Sequence, residues 1–274
     1  MSGILYLVAT PIGNLDDITL RAIKVLQEVD IIASEDTRHS LKLLNHLNIS
    51  KPLISYHRHN EQIKSETLIN HLLGGKNIAL ISDAGTPVIS DPGEEIVKLA
   101  IEKNIKIVPI PGACALINGL ISSGLDSTEF TFIGFLPLNK KNRKEKLEQI
   151  ENSLHTVILY EAPHKLLSTL EDLDKFLGNR KIALAKELTK IHEKFIYGTT
   201  EELLQKLDNP KGEYVIIIEK NSSIKTNNIY FLNTLPLEDH FKFYTEQGFS
   251  KNEAIKKIAK DKHVNKNEIY KYFI

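Results

Sequence analysis

With one cysteine, Cys114, the chain can form no internal disulfide and no multi-cysteine metal site, which fits a reducing cytosol. Net charge is missing as well: 35 basic residues balance 35 acidic ones, so no whole-molecule field draws the protein to nucleic acid or membrane, and any such partner must meet a local patch. Long apolar runs are absent. "ILYLVA" is short and has no basic stretch before it, and "IKIVPIPGACALINGLI" is interrupted by Lys106, Pro109, Pro111 and Asn118, so the chain reads as a soluble intracellular protein with no membrane partner. None of the 14 glycines builds G-x-G-x-x-G, and Gly119 and Gly124 have Walker-A spacing but are followed by Leu125 and Asp126 where Lys and Ser/Thr are required. H-E-x-x-H, G-x-S-x-G and C-x-x-C do not occur, which counts against the common zinc enzymes and hydrolases and leaves no expected metal.

Short β-branched runs alternate with amphipathic stretches in the first part of the chain. Ile4 to Ala9, Asp30 to Ser34, Leu53 to Tyr56, Asn77 to Ser82 and Lys106 to Ile110 read as strands, with "ITLRAIKVLQEV" and "EEIVKLAIEKN" as crossover helices. This predicts an α/β domain with a mostly parallel sheet over residues 1–114. "PIPGACAL" marks a change, after which "FTFIGF", "HTVILYE", "KIALAKEL", "KFIYG" and "EYVIIIEK" alternate with helices near 140–152, 163–176 and 200–207, a second α/β domain over 115–222. A polar linker, "NSSIKTNN", leads to a helical tail over 236–274 with helices near 238–247, 250–261 and 265–273. There Ser250 with Glu253, and Asn265 with Glu268, have capping-box spacing.

Four polar loops follow the first-domain strands: "ATPIGN", "SEDTRHS", "SYHRHN" and "SDAGTPVISDPG". In an open parallel sheet the ligand crevice lies beyond the carboxyl ends of the strands, so all four are expected to line it. Each also has a plainer reading. Ser34 or Asp36 could cap a helix beside a surface Asp36–Arg38 pair, "SYHRHN" could be a solvated loop, and Pro92 could open a helix in "DPGEE". In the second domain, "YEAPHKL" follows the strand "TVIL", and "AKELTKIHEKFIYG" gathers Lys186, Glu187, Lys190, His192 and Glu193 after the apolar run "IALA". At least one of Lys186 and Glu187 is expected to face the cleft.

Taken in order, "LYLVATPIGNLDDITLRA", "ASEDTRHS", "ISDAGTPVISDPG", "IPGACALINGLISSGL", "YEAPHKL" and "AKELTKIHEKFIYGT" resemble the ribosomal-RNA small-subunit methyltransferase I group of the tetrapyrrole methylase superfamily. The resemblance implies S-adenosylmethionine (SAM) in a cleft between two α/β domains, a homodimer, and 2'-O-methylation of a decoding-centre cytidine in 16S rRNA. It also implies SAM contacts at Pro11, Asp83, Ala84, Gly85, Val88, Cys114, Ala115, Tyr160 and Leu188. The turn after the first strand suits such a ligand: SAM has no pyrophosphate to cradle, and a proline-containing turn offers carbonyls rather than N–H groups to a sulfonium.

Methyl transfer to a ribose hydroxyl needs alignment, a dry cleft and a proton acceptor, for which Glu35, Asp36, Lys186, Glu187 and His192 are the candidates. Arg38, His57, Arg58 and His59 suit phosphate gripping and base stacking. The run 140–146 carries five positive charges and one negative, so Lys140, Lys141 and Arg143 are candidate RNA contacts, and residues 250–274 carry seven lysines against three acids. Two rivals remain: a tetrapyrrole or corrin methyltransferase, and a ligand-sensing regulator whose tail is a helix-turn-helix. Pro11, Ile12 and "DAG" depart from the glycine-richer loops of the first. Against the second, residues 265–273 offer only Lys266, Asn267 and Lys271 among bulky side chains.

Overall fold

The computed structural model describes residues 2–222, 232, 235–262 and 264–273. They form two compact units, Met1–Lys220 and Asn221–Ile274. The linker read after Lys220 lies, from residue 223 on, outside the described residues.

The first unit contains two five-stranded sheets. In the first, β1 (Ile4–Val8), β2 (Ile31–Ser34), β3 (Leu53–Ser55), β4 (Ile78–Ile81) and β5 (Lys106–Ile110) run in the order β3-β2-β4-β1-β5, with every pairing parallel. The central strands β2 and β4 are buried at every position, which is why they read as continuous apolar runs rather than alternating ones. One face is covered by α1 (Leu20–Glu28) and α2 (Thr37–His46) through Ala22, Leu26 and Leu44. The other is covered by α3 (Glu61–Leu73) and α4 (Glu94–Glu102) through Leu68, Leu72, Ile96 and Ala100. The chain therefore leaves β1 for one face and β4 for the other. These two strands are neighbours, so their loops diverge and open a crevice between them.

Helix α5 (Ala115–Ile121) leads to the second sheet, of order β6-β7-β10-β8-β9: β6 (Phe130–Gly134), β7 (Thr156–Glu161), β8 (Ile182–Lys186), β9 (Lys194–Gly198) and β10 (Tyr214–Ile218). Only the β6–β7 pairing is parallel. One face packs α6 (Lys140–Glu151), α7 (Pro163–Leu177) and α8 (Thr200–Lys206); α7 has proline in its first turn and buries Leu166, Leu170, Leu173 and Leu177 at helical spacing. The opposite face meets α5 through Leu116, Leu120, Val215 and Ile217, with Ile12, Cys114 and Tyr160 against it.

The second unit has its own core. Helices α9 (Leu237–Glu246), α10 (Lys251–Asp261) and α11 (Lys266–Tyr272) enclose Tyr244, Ile255, Ile258 and Ile269. The Ser250–Glu253 capping box is present, whereas Asn265 caps α11 alone by accepting from the Asn267 N–H, without a return bond from Glu268. Pro92 does not open α4. The helix starts at Glu94 with Gly93 as its cap, because Gly93 has φ +144° and turns the chain there. Among the described residues no helix is long and apolar enough to cross a membrane.

Candidate functional site

The divergence of the β1 and β4 loops is fixed by a two-way backbone bridge. The Thr10 N–H donates to the Gly85 carbonyl at 2.9 Å and the Gly85 N–H to the Thr10 carbonyl at 3.1 Å, while Thr10 and Ser82 hydroxyls close the same turn. Gly85 has φ +88°, and a Cβ there would meet Ile12 Cγ2 at 3.1 Å, so both conformation and space require glycine. The single glycine of "PIGN" has a different reason. A Cβ on Gly13 would lie 2.4 Å from Lys190 Cγ and 2.9 Å from Thr189 Oγ1, and the next residue's N–H, that of Asn14, donates to Thr189 Oγ1 at 3.1 Å. The β1 turn is thus shaped for close approach by the loop after β8, joining the two sheets at one end of the crevice.

Between them lies a cleft of about 600 Å³, within the range of ordinary small-molecule sites. From the first half it is lined by Ile12, Glu35, Asp83, Ala84, Gly85 and Asp91, and from the second by Cys114, Ala115, Phe135, Tyr160, Glu161, Leu188 and Lys190, among others. Tyr160 is set by its hydroxyl, which accepts from the Leu116 N–H at 3.1 Å, and by edge contacts with Phe132 and Phe135. Burial, reinforced by Cys114, pushes its phenol up to about 12. Glu161 is buried with both oxygens engaged, accepting from its neighbour Ala162 N–H and from Thr169 Oγ1 at 2.6 Å.

Three carboxylates, Glu35, Asp83 and Asp91, share the first-half wall. Burial, then the charge of Asp83, raises Glu35 against the pull of Arg58 and His57. Burial, then Glu35, raises Asp91 to about 6. The loop carrying Asp91 is held in an uncommon shape, with Val88 at φ 76° and Ser90 at φ 67°. Two contacts secure it, one from the third loop and one from the start of α3: Arg58 Nη2 donates to the Ser90 carbonyl at 2.6 Å, and Glu61 Oε1 accepts the Gly93 N–H at 2.9 Å.

The structure thus brings together in one cleft the expected residues Glu35, Asp83, Ala84, Gly85, Cys114, Ala115, Tyr160 and Leu188. Pro11 and Val88 do not line it: the neighbouring Ile12 does, and Val88 packs against the sheet core. Asp36 takes the plainer reading, capping α2 and pairing with the exposed Arg38 at 2.8 Å; the Arg38 hydrogen bonds hold its carboxyl at about 2. Neither Lys186 nor Glu187 lines the cleft. Glu187 instead accepts from Lys190 Nζ at 2.9 Å, as Glu213 does at the same distance, so the cation that reaches the cleft is Lys190. Burial pulls Lys190 down, but its bonds to Glu213 and Glu187 outweigh that and raise it. His192 is exposed. The third loop does not line the cleft: Tyr56 is buried, while Arg58 and His59 are exposed. Lys140 and Lys141 are exposed on the first turn of α6, but Arg143 is tied to Asp172 at 2.8 Å and Thr169 at 2.9 Å, holding α6 to α7.

Among the lining residues that motif reading left outside its site are the charged Asp91, Glu161 and Lys190. Asp91 and Glu161 both carried a signal, since they lie within "SDAGTPVISDPG" and "YEAPHKL". Among the described residues there is no group of three or more His, Cys, Asp or Glu able to hold a metal ion.

The model of the family described as Tetrapyrrole (Corrin/Porphyrin) Methylases matches residues 4–204. A relative from Halalkalibacterium halodurans named ribosomal RNA small subunit methyltransferase I is 47% identical over 274 residues, covering 99% of this chain and 94% of the relative. One of the same name from Bacillus subtilis is 46% identical over 271 residues, covering 98% and 93%. Among solved structures, uroporphyrin-III C-methyl transferase from Thermus thermophilus complexed with S-adenyl homocysteine superposes with a TM-score of 0.56 at 17% identity, covering 78% of this chain and 97% of that one. The methyltransferase CobJ gives a TM-score of 0.62 at 14% identity, covering 81% and 95%. These two likenesses establish the fold. With the family model matching about three quarters of the chain and relatives of nearly half identity along the whole chain, the protein belongs to the tetrapyrrole methylase family and, within it, to the ribosomal RNA small subunit methyltransferase I group.

Proposed function

We propose that the protein uses SAM to methylate the ribose 2'-hydroxyl of a decoding-centre cytidine in 16S rRNA, as a cytoplasmic homodimer. The observation that carries this reading is near-full-length kinship with small-subunit rRNA methyltransferases, joined to a cleft whose walls come from both sheets.

The cleft fits SAM. Its glycine-constrained backbone at Asp83–Gly85 and the start of α5 at Cys114–Ala115 would hold the molecule, with Ile12, Tyr160 and Leu188 as apolar surface for the adenine. When bound, SAM supplies a sulfonium methyl group already activated for displacement. The wall of Glu35, Asp83 and Asp91 would set carboxylates near that cation and favour its binding. Leu188 is almost fully buried and, with the half-buried Tyr160, offers apolar surface that would keep water from a bound methyl donor. Of the RNA candidates, Lys140, Lys141 and His59 are exposed and in position to meet phosphates or bases, while the exposed Arg38 and Arg58 already bond Asp36 and the Ser90 carbonyl. The backbone N–H of His57 donates to Asn60 Oδ1 at 2.8 Å and holds the turn of that loop.

The test is transfer of labelled methyl from SAM to small subunits isolated from cells lacking the protein, followed by nuclease mapping. The expected product is one 2'-O-methylated cytidine in 16S rRNA. Label on a base, or none in 16S rRNA while calorimetry detects SAM binding, refutes the assignment.

A further inference from the structure

The cleft has to admit a methyl acceptor as well as the donor, and a nucleotide can present its ribose there only with its base lifted out of the stack and supported. Aromatic rings support any base, since every base has a π face. Of the aromatic side chains that line the cleft, Tyr214 is buried, and Tyr160 is half-buried with its hydroxyl engaged by the Leu116 N–H. His164 is exposed, but among the described residues no ring braces it. Phe135 differs from all three, because it lines the cleft while 56% of its surface stays open.

The ring is held in that position from several sides. Its chain neighbours Gly134 and Leu136 are both buried, so the backbone is anchored before and after it. A β-bulge between Phe132 and Gly134 shifts the end of β6 against β7, a distortion that re-aims the side chains beyond it. Gly134 has φ +73°, and a Cβ there would meet Ser90 Oγ at 3.1 Å, so the end of β6 abuts the loop after β4. The Phe135 ring meets the edge of Tyr160 at 5.8 Å between centroids, and Tyr160 is braced in turn by Phe132 at 4.9 Å. A large apolar ring is thus fixed at the cleft with a free surface.

The charges around it fit an RNA strand. Beyond Phe135 the chain runs through the exposed Leu138 to the exposed Lys140 and Lys141 at the start of α6. The first-half wall of the cleft carries Glu35, Asp83 and Asp91, which repel phosphate. An uncharged base and ribose can therefore enter while the backbone stays outside, beside the lysines. A second copy of this chain fits the surface less well, since lysine is depleted at protein–protein interfaces.

We propose that Phe135 stacks on the base of the nucleotide to be methylated and holds its ribose toward the donor, while Lys140 and Lys141 meet flanking phosphates; this assignment rests on the function proposed above. Stacking reads no base edge, so Phe135 positions the nucleotide without selecting which base it carries.

The experiment uses the full-length protein with Phe135→Ala, Phe135→Leu and Phe135→Trp. It measures methyl transfer from SAM to small subunits isolated from cells lacking the protein, SAM binding by calorimetry, and sedimentation. Phe135→Ala and Phe135→Leu should bind SAM within about threefold of the unaltered protein and lose roughly 10–100-fold in kcat/KM for the subunit, the effect of one missing stacking contact. Phe135→Trp should transfer methyl within about threefold of the unaltered protein, because an indole stacks as well as a phenyl ring. The chain has no tryptophan, so the emission of Phe135→Trp, with the unaltered protein as blank, should be quenched when subunits bind. The assignment is overturned if Phe135→Ala transfers as the unaltered protein does, if Phe135→Leu matches Phe135→Trp, or if subunits leave the indole emission unmoved. Loss of SAM binding in Phe135→Ala would make the ring part of the cofactor site, and altered sedimentation would make it a contact with a second copy; either overturns the assignment. No transfer by the unaltered protein overturns the parent function and this assignment with it, whereas normal transfer by every variant refutes this assignment alone.

Discussion

Replacing Gly13 by alanine isolates the contact that joins the β1 turn to the loop after β8. Gly13 has no unusual backbone angle to lose, so the effect is steric. The new Cβ would stand 2.4 Å from Lys190 Cγ, 2.9 Å from Thr189 Oγ1 and 3.2 Å from the Leu188 carbonyl. Ordinary contact is about 3.5–4.0 Å, so the Lys190 stem must retreat by roughly 1 Å. Lys190 cannot swing away without disturbing its bonds to Glu187 and Glu213, both at 2.9 Å. Overpacking of this kind costs about 1–3 kcal/mol. Both loops belong to the cleft end, so most of that cost should appear as weaker ligand binding, about tenfold for each 1.4 kcal/mol. The assay is calorimetric titration of SAM with Gly13→Ala, Lys190→Ala and the double variant, beside thermal unfolding of each. Because Lys190→Ala removes the Cγ that is struck, the two changes should be non-additive, the double variant binding better than the sum of the singles predicts. Strict additivity, or unaltered binding by Gly13→Ala, would show that the two loops do not meet in solution.

Three further outcomes are expected. Gly85→Val should lose SAM binding and also lower Tm by several degrees, because a side chain at φ +88° adds about 1–2 kcal/mol of backbone strain to the Ile12 collision; a melt unchanged from that of the unaltered protein would refute the left-handed assignment. Arg143→Ala should lower Tm by breaking the Asp172 and Thr169 bonds while RNA affinity holds, whereas Lys140→Ala with Lys141→Ala should leave Tm alone and reduce the slope of log K against log salt by about 0.7–0.9 per lysine, read from filter binding at several salt concentrations. Deleting residues 238–274 should reduce that slope by at most about 3–4, because Lys242, Lys251, Lys257 and Lys262 already contact Glu246, Phe273, the Phe249 ring and Leu235, leaving Lys256, Lys260, Lys266 and Lys271 exposed for phosphates; an unchanged slope makes the tail a packing element.

Periodicity and punctuation placed the strands, and the helices apart from α2, α3 and α5, since an apolar run such as "IALI" or the leucine spacing of α7 fixes a local period whatever surrounds it. Motif order also marked the loops of the cleft and the family. Sequence alone could not say which members of each loop turn inward. Asp36 and Glu35 are adjacent, yet one caps a helix and the other lines the cleft, because the start of α2 fixes the direction of the chain between them. Lys186, Glu187 and Lys190 lie within five positions, and only the left-handed turn at Glu187 and Thr189 sends Lys190 to the cleft. Arg143 looked like one of five equivalent cations until α7 brought Asp172 and Thr169 beside it. The sequence by itself determined the elements, their order and the kinship, all of which depend on neighbours along the chain. Tertiary structure decided the charge environment of Asp91, the reason for glycine at position 13 and the bonds of Lys190, because each depends on residues from strands far apart in sequence that only the packed sheets bring within contact distance.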